Sequence, residues 1–128
     1  MTENSQRFFL VALGGLVGCI ARYWLAGVVQ RLGNHGFPSG TLAVNIVGSL
    51  VIGIVMTLSL ERGLVDDRLR ILLTTGFCGG FTTMSTFSYE TFALLRDGEH
   101  LLAFANTGVT FAACLGAVWL GSIIARAL

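Results

Sequence analysis

Four apolar runs, Phe8 to Val29, Thr41 to Leu60, Leu69 to Leu95 and Leu101 to Ala125, take up most of a 128-residue chain. Each is close to or longer than the ~20 residues that an α-helix needs to cross the hydrocarbon core of a bilayer. Inside lipid every backbone N–H and C=O must be paired within the protein, which for runs of this length means helices. The stretches between them, RLGNHGFPSG, ERGLVDDR and RDGEH, hold glycine, charge and the single proline, Pro38. That is turn chemistry in pieces too short to fold alone. The pattern predicts an all-α membrane protein, with residues 1–128 forming one four-helix transmembrane domain and no soluble module. The first run continues past Arg22 to Val29, and no small-residue cleavage pattern follows it, so it reads as a retained helix rather than a signal peptide.

Composition narrows the function. With 54% hydrophobic and 12% charged residues the chain lies outside the range of soluble domains, so its medium is the lipid bilayer. Net charge is +1 and there is no polybasic cluster, which gives no indication of nucleic acid or of an acidic membrane surface as partner. Cys19, Cys78 and Cys114 fall inside apolar runs without ligand-like spacing, so three reduced, packed thiols are expected. His35 and His100 are expected in loops between the runs, leaving no buried histidine for haem or quinone chemistry.

All eight basic residues are arginine. Four spans put both termini and the second inter-run segment on one side, with Arg7, Arg62, Arg68, Arg70 and Arg126; the other side carries Arg31 and Arg96, and Arg22 if it reaches the interface. That is a weak bias under the positive-inside rule, and it allows insertion in both orientations. Two copies inserted oppositely form the intermolecular counterpart of the inverted repeats that build many transporters. An antiparallel dimer is the favoured expectation; a dimer of one orientation is compatible with the same counts.

Polar residues at membrane depth mark candidate sites. Glycine fills 17 of 128 positions, about twice its usual ~7%. Gly14 with Gly18, and Gly108 with Ala112 and Gly116, have the small-xxx-small spacing that lets helices approach closely. Asn45, four residues after Thr41 and so on the same helix face, either bonds across helices or lines a polar track, since an unpaired amide in hydrocarbon is costly. Asn106, Thr110 and Cys114 stack at intervals of four; such threonines commonly bond back to their own helix. Arg22, in GCIARYWL, either snorkels beside Tyr23 and Trp24 or sits at a pore mouth, where it raises the local anion concentration. Glu90 is the one acid inside an apolar run: a proton carrier, a partner of Arg22 or a cap for a neighbouring helix end.

The third run holds the densest anomaly, GFCGGFTTMSTFSYE from Gly76 to Glu90. Glycines 76, 79 and 80 weaken a helix, and Thr82, Thr83 and Ser85 can rebond released backbone, so a break is predicted around Gly79 to Thr83. Broken membrane helices expose carbonyls to cations and amides to anions. Beyond the break, Met84 and Phe87 lie three apart on one face; packing explains most such pairs, but a ring edge can also meet an anion.

Taken in order over four spans, GCIAR, GTLAVNIVGS and GFCGGFTTMSTFSYE resemble the small dual-topology fluoride channels, the Fluc or CrcB family. The resemblance covers nearly the whole chain. It implies a channel rather than an enzyme: an antiparallel homodimer passing fluoride passively through two pores across the bacterial plasma (inner) membrane, as a multi-pass protein that protects against fluoride toxicity. It further implies a structural, untransported sodium ion at the dimer centre, held by main-chain carbonyls that map to Gly79 and Thr82. The family's pore asparagine falls on Asn45, its vestibule arginine on Arg22, its third-helix acid on Glu90 and its second pore phenylalanine on Phe87. Met84 stands where a first phenylalanine is usual, and Thr110 and Cys114, with Asn106, stand where a tyrosine and serines often lie. Thr41 joins Asn45 on the polar track.

Two other classes have four short helices. A proton-coupled exporter of the small multidrug type calls for an acid in the first run, which has none. A non-transporting membrane anchor would need only the glycine packing and leaves the third-run anomaly without a purpose.

Overall fold

The computed structural model describes residues 1–128, which are helical and joined by short turns, with no strand. α1 spans Glu3–Leu32 and α2 Ser39–Leu60; α3 (Asp67–Ile71) runs on into a π-helical segment (Leu72–Cys78) and α4 (Gly79–Phe81); α5 (Met84–Arg96) and α6 (His100–Ala127) complete the chain. α1, α2 and α6 are each long and apolar enough to cross a membrane. The third apolar run is two helical pieces, interrupted at Thr82 and Thr83, whose backbones are extended.

Local chemistry sets the ends. α1 starts ahead of its apolar run because the Thr2 side chain accepts the Ser5 N–H, and Asp66 caps α3 through Leu69 N–H at 2.8 Å. Gln30 ties the first turn together: its Oε1 accepts the Gly40 N–H at 3.0 Å, while Nε2 donates to the carbonyls of Asn34 and Phe37. α5 ends in a left-handed Gly98 (φ 80°), with Gly98 N–H returning to Leu95 O and Glu99 N–H to Leu94 O. Those paired bonds form a Schellman turn, which glycine adopts without steric cost.

Small residues set the packing, as expected where van der Waals contact rather than the hydrophobic effect draws helices together. A methyl group on Gly14 would overlap the Leu72 carbonyl, and one on Gly18 the Phe77 carbonyl. Gly76 and Gly80 present the reciprocal surface to Leu10, Val11 and Gly15 of α1. These two glycines of the third run therefore seat it against α1; the helix continues through them and stops only at the threonines. On the other side of α2, Gly53 meets Val118 O and Gly121 meets Leu50 O, so α2 and α6 also touch backbone to backbone. Thr57 Oγ1 donates to Ser122 Oγ at 3.0 Å across that contact. α2 is the central helix, with Val44 fully buried.

Three expectations fail here. Gly108 and Gly116 have open space around them and Ala112 is exposed, so that stripe makes no helix contact within the chain. Cys19 is exposed rather than packed, while all three thiols are free. His100 opens α6 instead of lying in a loop. At the end of α6, Arg126 grips Glu61 through two bonds of 2.8 and 2.9 Å, and Arg62 donates to the Arg126 carbonyl. The Arg126 hydrogen bond holds the Glu61 carboxyl below the ordinary glutamate range, against a smaller opposing effect of desolvation.

Candidate functional site

The break is built by diverted hydrogen bonds. In an unbroken α-helix the Thr83 N–H would close on the Gly79 carbonyl and the Thr86 N–H on the Thr82 carbonyl. Here Thr83 N–H donates to Asn45 Oδ1 at 2.9 Å, and Thr86 N–H to Thr83 Oγ1 at 3.2 Å. Asn45 Nδ2 completes its grip by donating to the Thr83 carbonyl at 3.2 Å. The Thr82 hydroxyl turns back onto Cys78 O at 2.8 Å, which leaves the Thr82 main chain to carry the turn. Gly79 and Thr82 thus lose their helical donors, and Thr83 becomes the N-cap of α5.

A groove of about 560 Å³ opens along this break. Asn45, Gly79, Thr82, Met84, Phe87, Thr110 and Cys114 all line it. Met84 is 70% exposed there, and Ser49, Thr83 and Phe111 add to the wall. The Thr110 hydroxyl donates to Asn106 Oδ1 at 3.4 Å, a long bond that holds its hydrogen loosely. The surface mixes aromatic and aliphatic groups with a few amide, hydroxyl and carbonyl groups, and the groove is open rather than enclosed.

Further along α5 lies a second cavity of about 520 Å³, with Gln30, His35, Tyr89, Glu90, Asp97 and Glu99 on its wall. Glu90 accepts the Thr41 hydroxyl at 2.8 Å through Oε1, and its Oε2 is buried with no partner in the chain. Thr41 and Asn45 therefore both face α5, one turn of α2 apart. Glu90 pairs with Thr41 and makes no ion pair with Arg22, contrary to one of its sequence alternatives. Arg22 is half-buried, lines neither cavity and bonds to no other side chain.

Sequence patterns placed Thr83 in the break as a group that rebonds released backbone, which it does as the N-cap of α5, and missed Thr91. Thr83 had a legible signal, a threonine directly before a helical run, which is N-cap chemistry. Thr91 had none.

A family profile described as CrcB-like protein, Camphor Resistance (CrcB), matches residues 9–122. The chain belongs to the CrcB family. Its CrcB relatives include a protein of Geotalea uraniireducens (strain Rf4), 54% identical over 92% of this chain and 95% of its own length. Others are from Geobacter sp. (strain M21), at 47% over 96% and 99%, and Geobacter metallireducens (strain ATCC 53774 / DSM 7210 / GS-15), at 52% over 92% and 95%. All three are named Fluoride-specific ion channel FluC. A CrcB chain is thus a multi-pass membrane protein of a channel family; the groove at its broken helix gathers seven of the residues singled out by sequence, while Thr41, Glu90 and Arg22 lie outside it.

Proposed function

We propose that this chain forms a fluoride-selective channel that passes the ion passively out across the bacterial plasma (inner) membrane and so protects against fluoride toxicity. The observation that carries it is the groove: Asn45, Phe87 and Thr110 converge there beside a helix break, in a chain about half identical to channels named for fluoride. Fluoride must shed a tight hydration shell to enter a narrow path, so selectivity rests on pore width and on donors that replace water. The second N–H of Asn45, the loosely held Thr110 hydroxyl and the positive edge of the Phe87 ring are such donors. Cys114 adds a weaker one, and Met84 a flexible wall. The Thr41 and Glu90 pair stands at the junction with the second cavity, and Arg22 attracts anions toward the membrane surface.

The functional unit of this proposal is an antiparallel homodimer. Eighteen of 128 residues are buried in one chain and the groove is open along one side, so a second copy supplies the missing wall. The weak arginine bias, five against three when Arg22 is counted, is compatible with insertion in either direction. The third apolar run then crosses the bilayer as two half-helices, acceptable because protein covers the break.

The donor set at the break fits a structural sodium ion. The Gly79 and Thr82 carbonyls have lost their helical donors, and neutral carbonyl oxygen is the ligand that hard cations prefer. Gly79 lies exposed, with only the Thr74 carbonyl at the edge of van der Waals range of a methyl there. Those two residues from each subunit would hold the ion, and its charge would join the two copies at their centre.

Fluoride release from loaded proteoliposomes, followed with an electrode, tests the proposal. Rapid release that needs no proton gradient and is lost in Phe87→Ile supports it; unchanged flux in that variant removes Phe87 from the path.

A further inference from the structure

Among the long helices α5 alone buries no residue, while α1, α2 and α6 each do. Side-chain packing is therefore a poor anchor for the element that presents Met84 and Phe87 to the groove. What holds it is a set of polar ties: Asn45 to its N-cap, Thr41 to Glu90, and Asn106 to Thr91. The first two use groups already placed along the groove and the second cavity. The third does not.

Asn106 is 1% exposed and lines neither cavity. A carboxamide so placed must spend its hydrogen-bonding capacity inside the protein. Its Nδ2 donates to Thr91 Oγ1 at 3.0 Å, and the Thr91 hydroxyl donates in turn to the Phe87 carbonyl at 2.8 Å. An unbroken line of hydrogen bonds thus runs from the second turn of α6 to the backbone of Phe87, one turn upstream of Thr91. We propose that Asn106 is a positioning residue for the ion path: by gripping Thr91 it pins α5 to α6 and fixes where Phe87 stands in the groove. Only the flux consequence of this rests on the fluoride-channel proposal; the pin itself does not.

Thr91→Val, near-isosteric and lacking the hydroxyl, removes the receiving end of the pin; Thr91→Ser retains it; Asn106→Leu removes the donor. Hydrogen–deuterium exchange of the full-length protein in lipid nanodiscs reads the pin, and fluoride efflux from proteoliposomes reads its consequence. Loss of one net hydrogen bond is expected to speed exchange of α5 amides by roughly fivefold to tenfold, with α2 and α6 unmoved. Thr91→Val and Asn106→Leu should both do this and both lower efflux, Asn106→Leu by at least as much because it also frees the Thr110 hydroxyl, and the double variant should match Asn106→Leu, while Thr91→Ser stays near wild type in both readouts. Unchanged α5 exchange in the first two variants overturns the proposal. So does an increase shared equally by α2 and α6, or efflux that falls in Asn106→Leu and is intact in Thr91→Val. If the wild-type protein releases no fluoride, the functional proposal fails and the exchange measurements still decide the pin.

Discussion

Replacing Asn45 by leucine, which is close in volume and has no polar atom, should both destabilise the protein and close the break. Asn45 makes two bonds to the Thr83 main chain, at 2.9 and 3.2 Å, so the variant leaves one N–H and one C=O there without partners. A net hydrogen bond is worth about 1 kcal/mol, and a stranded buried group costs about 1–3 kcal/mol. Thr83 is only half-buried, so the lower end applies, and the loss before relaxation is about 2–3 kcal/mol. The chain has one way to recover part of it: Thr83 N–H can return to the Gly79 carbonyl, remaking a helical bond and leaving a net loss of about 1–2 kcal/mol. That recovery carries its own functional cost, because it takes back a carbonyl proposed for the cation and rotates the entry to α5. Chemical unfolding in detergent should therefore show the loss of about 1–2 kcal/mol, and efflux should fall at least about tenfold. Ser49→Ala, on the same groove wall and without a side-chain bond, is the stability control and should stay within about 0.5 kcal/mol. Asn45→Leu with the stability and flux of the wild type would refute the diverted-bond account of the break.

Other expectations follow from the same geometry. Gly18→Ala must push a methyl group into the Phe77 carbonyl and should lose about 1–3 kcal/mol, whereas Gly27→Ala, with open space around it, should gain about 0.5–1 kcal/mol; thermal melts in detergent compare the two. The Glu61 carboxyl is held below its ordinary range by Arg126, so its contribution is present above the unfolded-state pKa of about 4.3 and is lost as pH falls through the depressed folded value. Melting temperature should decline across that acid window in the wild type, and Glu61→Gln should lack this component of the decline. Replacing sodium with a large organic cation should lower both dimer stability and fluoride flux; indifference to the exchange would count against a structural ion at Gly79 and Thr82.

The helices were legible in the sequence because hydrophobic length alone identifies a span, and Gly14 and Gly18 declared a close contact through their spacing. The gathering of Asn45, Met84, Phe87, Thr110 and Cys114 around one groove was visible only in part, since spacing fixes a helix face and not what that face meets. Gly76 and Gly80 show the limit well. Their flexibility suggested that they break the helix, while their actual work is to let α1 approach, and the interruption falls to two threonines with side chains able to cap. Gly108, Ala112 and Gly116 carry the same small-residue pattern as Gly14 and Gly18 yet meet nothing within the chain. Thr91 escaped notice because a threonine in an apolar helix normally bonds to its own backbone, as this one does; its second role appears only once Asn106 is brought against it.

Fluoride release from proteoliposomes, recorded with an electrode at matched proton concentration on both sides, tests the central claim most directly. The expected result is loss of internal fluoride within the mixing time of the assay at one protein dimer per vesicle, with chloride retained and no proton gradient required. Release no faster than from protein-free vesicles, or release that follows an imposed proton gradient, would contradict it.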